Sequence, residues 1–172
     1  SSPASGYGLM SDDIFGVVPM DAAEHAAKRA AITEQLKAET GIDDAMIEHL
    51  VRTFYARIAE DEVLGPIFAE KISDWEPHLR KMFAFWSSVT LQTGVYHGRP
   101  MPAHVTLPID ARHFDRWLDL FARTARDTCP PAAAERFIER AGVIASSLEM
   151  GVATVAGVRI PPGQRYHNPE ID

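Results

Sequence analysis

The chain has 172 residues and a formal charge of −7 at neutral pH. The length suits one domain with added pieces, and the sign is wrong for nucleic acid, whose phosphates need a basic surface. A single cysteine, Cys129, excludes an internal disulfide and a cysteine-built metal cage. No apolar run approaches the roughly 20 residues of a bilayer span, and the start of the chain lacks a basic-then-apolar leader, so a cytoplasmic protein is expected.

Residues 1–20 are rich in Ser, Gly and Pro and contain Met10 and Met20 as candidate starts; they are expected to form a flexible arm. "DAAEHAAKRAAITEQLKAETG" then predicts an N-terminal helical extension over 21–41. Asp21 can cap it, Glu24 stands at capping-box spacing, and Gly41 can stop it. Its apolar face is mostly alanine, so it is expected to lean on the domain instead of founding it.

The main domain is expected over 42–155. After Asp43, the residues Met46, Ile47, Leu50, Val51, Phe54 and Ile58 recur at helical spacing, with Tyr55 at the edge of that face. "LGPIF" predicts a short turn or half-helix with Pro66 positioned as a first helical residue. "SDWEPHLRKMFAFWSSVTLQTG" predicts the next helix, with Ser73 and Glu76 at capping-box spacing. Trp75, Leu79, Met82, Phe83, Trp86, Val89 and Thr90 make one stripe along it. His78, Met82, Phe85 and Val89 make a second ridge beside the first, so two sides should be covered, by protein and by a ligand.

Residues 93–109 form a long connection with three prolines and two glycines, the kind that is functional or disordered inside a compact domain. Asp110 is expected to cap a helix carrying Phe114, Trp117, Leu118, Phe121 and Ala125, which "CPP" ends. A last helix from about Pro131 carries Phe137, Ile138, Ala141, Ile144, Ala145 and Leu148. The tail over 156–172 has little to bury and is expected to be flexible. No sustained period-2 alternation competes, so the fold class is all-α.

Motifs for bare metals, phosphates and nucleophilic catalysis are missing. What remains is a set of polar tips on apolar helices: Tyr55, His78, Trp117, and one of His104 or His113. Each alone reads most simply as a core residue. Together they describe an apolar pocket with a few convergent polar groups, the usual form of a cofactor site. A ligating histidine needs its second ring nitrogen tied down, often to a carbonyl, and the proline-restricted stretch around His104 has free carbonyls for this. His113, in a helical first turn, reads as a residue near solvent.

"FYARIAEDEVLGPIF", "DWEPHLRKMFAFW" and "PMPAHVTLPIDARHFDRWLDLF", in this order, resemble the truncated haemoglobins, and group III in particular. The resemblance covers about residues 40–152. The Gly-Gly pairs of the other two groups are missing, while the N-terminal extension and the tail depart from the short family pattern. The resemblance implies a truncated globin fold, a shortened helical sandwich, with an extra N-terminal helix and flexible termini. It implies haem as cofactor, with His104 as the proximal iron ligand and His113 at a variable position. It implies Tyr55, His78 and Trp117 as distal residues that stabilise a bound ligand. Phe68, Leu79, Met82, Leu107 and Phe114 would contact the haem, and Arg80 and Lys81 could meet its carboxylates. The implied function is binding of O2, CO, NO or a similar small ligand, for activation or detoxification such as NO oxidation or a peroxidase-like reaction, with a reductase as partner. The extension raises an alternative, a haem-based sensor signalling through it. A haem-free helical interaction module is the third reading.

Overall fold

The computed structural model describes residues 21–171, so the expected arm over 1–20 lies outside the described residues. The described residues form seven α-helices and a final single turn of 3-10 helix, with no strand among them. None of these helices is long and apolar enough to cross a membrane.

Helix α1, Ala22–Thr40, begins where the Asp21 carboxylate accepts the Glu24 N–H at 2.7 Å and stops at Gly41, whose φ of 73° is left-handed. Its first ten residues are exposed and only Thr33 is buried. The Thr33 hydroxyl donates to the Leu91 carbonyl at 2.7 Å, so α1 leans on the end of a later helix, as its alanine face suggests.

Helix α2, Asp44–Glu60, is capped by Asp43, which accepts from the Met46 N–H at 2.8 Å. It buries Ile47, Leu50, Val51, Phe54, Tyr55 and Ile58. A tight corner leads into α3, Leu64–Lys71, where the Asp61 carboxylate accepts from the N–H groups of Val63 and Leu64. Gly65 sits so close to α2 that a Cβ there would lie 2.9 Å from the Ala59 carbonyl oxygen.

Helix α4 spans Trp75–Leu91, and its start differs from expectation. The N-cap position is Asp74, without a side-chain cap bond, and the Ser73–Glu76 box does not form. Glu76 instead takes the Arg52 guanidinium at 2.7 Å, an ion pair between α4 and α2. The long connection contains a five-residue helix α5, Pro100–His104, started by Pro100. Helix α6, Ala111–Thr128, and helix α7, Pro131–Val155, complete the domain. Helices α6 and α7 pack on each other, and α2 lies against both α6 and α4.

The core is aromatic at its centre. Trp86 stacks on Phe121 at 4.7 Å, Trp117 stacks on Phe121 at 5.4 Å, and Phe54 meets Phe121 edge-on. Phe54, Phe121 and Phe137 are at most 1% exposed, so truncating any one of them to alanine should cost about 3–5 kcal/mol.

The tail corrects the expectation of a flexible segment over 156–172. Tyr166 is 3% exposed and packs with Ile109, Phe114, Leu148 and Val152 in a second apolar cluster. Its carbonyl accepts from the Ala111 N–H at 2.9 Å, and Arg165 pairs with Glu149. The tail looks poor in apolar residues, but one buried tyrosine and its backbone bonds suffice to anchor it.

Candidate functional site

Helices α2, α3, α4, α5, α6 and α7 enclose a cavity of about 280 Å³. Its wall is mainly apolar, with Phe68, Met82, Leu107 and Phe114 among the lining residues. Tyr55, His78, His104 and Trp117 line it too, so four elements bring the expected polar tips to one space. Of the second ridge on α4, His78, Met82 and Phe85 face the cavity. Leu79 does not: it is buried in the core. A residue next to His78 in sequence turns by about 100° around the helix, which sends it to the other stripe.

Tyr55 is pinned by rings. Phe54, Phe68, Trp75 and His78 surround it at centroid distances of 5.3, 5.9, 5.7 and 5.3 Å. Burial pushes its phenol above the ordinary range, so the O–H keeps its hydrogen. Burial, then the charge of Lys81, then His104 across the cavity lower the affinity of His78 for a proton, which favours a neutral ring. The His78 Nε2 is buried and has no hydrogen-bond partner. A buried ring nitrogen without a partner is costly in a folded protein, and a group that enters the cavity could satisfy it.

The two histidines of the "PMPAHVTLPIDARH" stretch are held in opposite ways. The His104 Nδ1 lies 2.6 Å from the Pro100 carbonyl oxygen, which can only accept, so Nδ1 carries the hydrogen. In the neutral ring the His104 Nε2 then keeps its lone pair. The His113 Nδ1 accepts the backbone N–H of Asp110 at 3.0 Å as part of a capping box. In the neutral ring its Nε2 then carries the hydrogen. His104 is prepared to ligate a metal, and His113 is prepared to donate. His113 is also no solvent residue: its side chain is 11% exposed and lines the cavity.

Sequence reasoning missed several lining residues, among them Lys71, Ile72, Ile109 and Ile144. All three of Lys71, Arg80 and Lys81 are exposed, but of these only Lys71 lines the cavity. Nothing in the local pattern marks Lys71, since the end of a short helix is a common place for a lysine. No three His, Cys, Asp or Glu side chains converge on a bare metal ion among the described residues.

The bacterial-like globin family model matches residues 39–147. The chain belongs to the bacterial-like globins. This globin is 32% identical over 119 residues to a group 3 truncated haemoglobin of Campylobacter jejuni, a match covering 66% of this chain and 93% of the relative. The crystal structure of the group III truncated haemoglobin from the same organism superimposes with a TM-score of 0.59 at 31% identity, covering 63% of this globin and 89% of that chain. The all-α truncated globin fold and the group III likeness therefore stand. Membership in a haem-binding family fits the residues present: an apolar cavity, one histidine with a free lone pair, and an unpartnered buried ring nitrogen.

Proposed function

We propose that this globin holds haem through His104 and acts on a small ligand by activating it, instead of carrying oxygen in bulk. Haem held there would supply an iron able to bind O2, CO, NO or a similar molecule. His104 is the residue suited to hold it, because the Pro100 carbonyl fixes the hydrogen on Nδ1 and leaves Nε2 basic. Phe68, Met82, Leu107 and Phe114 would wall the macrocycle and keep water out. Lys71 is the cation best placed along that wall to meet a haem carboxylate.

Tyr55, His78 and Trp117 each offer a hydrogen on a polar tip and come from α2, α4 and α6. The observation that carries the reading is this convergence on one apolar cavity. Donors in a desolvated pocket hold a polarised ligand firmly, and firm holding disfavours release to tissue or solution. It favours turnover of the held ligand, of the NO-oxidising or peroxidase-like kind, with electrons delivered by a reductase.

Titration of the purified chain with haem tests the reading. A stoichiometric complex with a ferrous–CO Soret band is expected. Failure to retain haem through gel filtration would remove the globin function and leave a helical interaction module.

A further inference from the structure

The first free N–H groups of a helix usually go to a cap or to water. At the start of α6 a distant part of the chain takes one of them. The Ala111 N–H donates to the carbonyl of Tyr166 at 2.9 Å. The Arg112 N–H donates to the Asp110 carboxylate at 3.1 Å. That carboxylate is 0% exposed and also accepts the Asn168 N–H at 3.0 Å and the Arg112 guanidinium at 2.8 Å. His113 and His167 face it at 3.4 and 3.8 Å. The tail is anchored in turn on α7, where Glu149, 7% exposed, takes Arg165 at 2.6 Å and the Tyr166 N–H at 3.1 Å. The same Asp110 that receives the tail gives its own N–H to the His113 Nδ1.

We propose that the segment Arg165–Asn168 is a positioning strap for the haem cavity, completing the cap of α6 and thereby holding His113 with its Nε2–H available to the cavity, so that haem stays bound longer. This rests on the reading that the cavity takes haem. The strap residues do not line the cavity. They act through Asp110, and His113 is the residue they position. The arrangement explains why a tail with so few apolar residues is fixed by four backbone or carboxylate bonds, two at the start of α6 and two at Glu149 on α7.

Haem transfer to excess apomyoglobin measures the effect. Deleting 163–172 and substituting His113→Phe should each speed haem loss about tenfold, equivalent to about 1.4 kcal/mol. The two changes together should do no more than either alone, because both remove the same held donor. Glu149→Gln keeps an acceptor for the Tyr166 N–H, loses the Arg165 ion pair, and should speed loss by a smaller factor; it carries the test if the deletion does not fold. Nitrogen-15 spectra of the histidine rings give a second readout, in protein without haem. His113 should show a single Nε2–H tautomer in the full chain and a mixture in the Glu149→Gln variant. Multiplied effects, about a hundredfold for the pair, or haem loss within about twofold of the parent in folded variants, would overturn the strap. A parent chain that holds no haem would overturn the cavity reading and the strap together.

Discussion

Replacing Tyr55 by phenylalanine isolates one hydroxyl. Four neighbouring rings hold the Tyr55 ring in place, so the phenylalanine should occupy the same position and only the O–H is lost. Tyr55 is 8% exposed and the surrounding wall is apolar, so water should not replace the missing donor. A hydrogen bond to a charged or strongly polarised acceptor is worth about 1.5–3 kcal/mol. At 1.4 kcal/mol per factor of ten, O2 dissociation should accelerate about 10- to 150-fold. Held O2 carries partial negative charge and CO carries far less, so CO dissociation should change much less. Stopped-flow displacement measures both rates for Tyr55→Phe, His78→Leu and Trp117→Phe. If O2 leaves within about twofold of the parent rate in all three, under about 0.5 kcal/mol, the distal residues are core alone and the case for ligand activation goes with them.

His104→Ala should abolish stable haem binding or the native ferrous spectrum, with rescue by added imidazole. His113→Ala should leave the band positions unchanged; the reverse pattern would exchange the two assignments. Gly65→Ala should lower stability by about 1–3 kcal/mol in urea melts, since a Cβ meets two backbone carbonyls of α2, and an unchanged midpoint would refute the tight corner. Acidification should weaken the fold in two stages. Folding depresses proton binding at His78, so its contribution is present above the ordinary value of 6.5 and is lost as pH falls below it. Burial alone would raise Asp110, but Arg112 and the N–H groups of Asn168 and Arg112 prevail and hold it well below the ordinary 3.8, so its contribution fades only below that value. Urea midpoints measured from pH 8 to 3 should fall in this order, and a midpoint unmoved between pH 7 and 5 would deny the His78 stage.

Much of this was legible in the chain itself. Helical periodicity placed α2, α4, α6 and α7, and local side chains set three helix starts as expected, at Asp21, Asp43 and Asp110. These signals act over one or two turns, within reach of sequence patterns. What the pattern could not give were long-range exchanges. Glu76 stands at capping-box spacing, yet a guanidinium from α2 attracts it away from the helix end. His113 looks solvent-facing by position, yet its Nδ1 takes the Asp110 N–H and its ring lines the cavity. Leu79 and His78 are adjacent letters on one helix, and their different surroundings depend on which neighbours cover each side. Tyr166 was hidden for a similar reason: its burial needs a groove made by residues as far back as Ile109 and Phe114.

Trp86, Phe121 and Trp117 form a column of rings in which both tryptophans line the cavity and the buried Phe121 lies between them. The planes of Trp117 and Phe121 differ by only 11°, and the indole is clamped along its face. The direction of its N–H is therefore decided by a phenylalanine that does not line the cavity. A population of molecules with one indole direction should release O2 as a single exponential. Loosening the column with Phe121→Leu would let the indole sample several directions, and one release rate would spread into many. Tight packing deep in the domain thus acts on kinetic uniformity: it makes every molecule in the sample keep the same time.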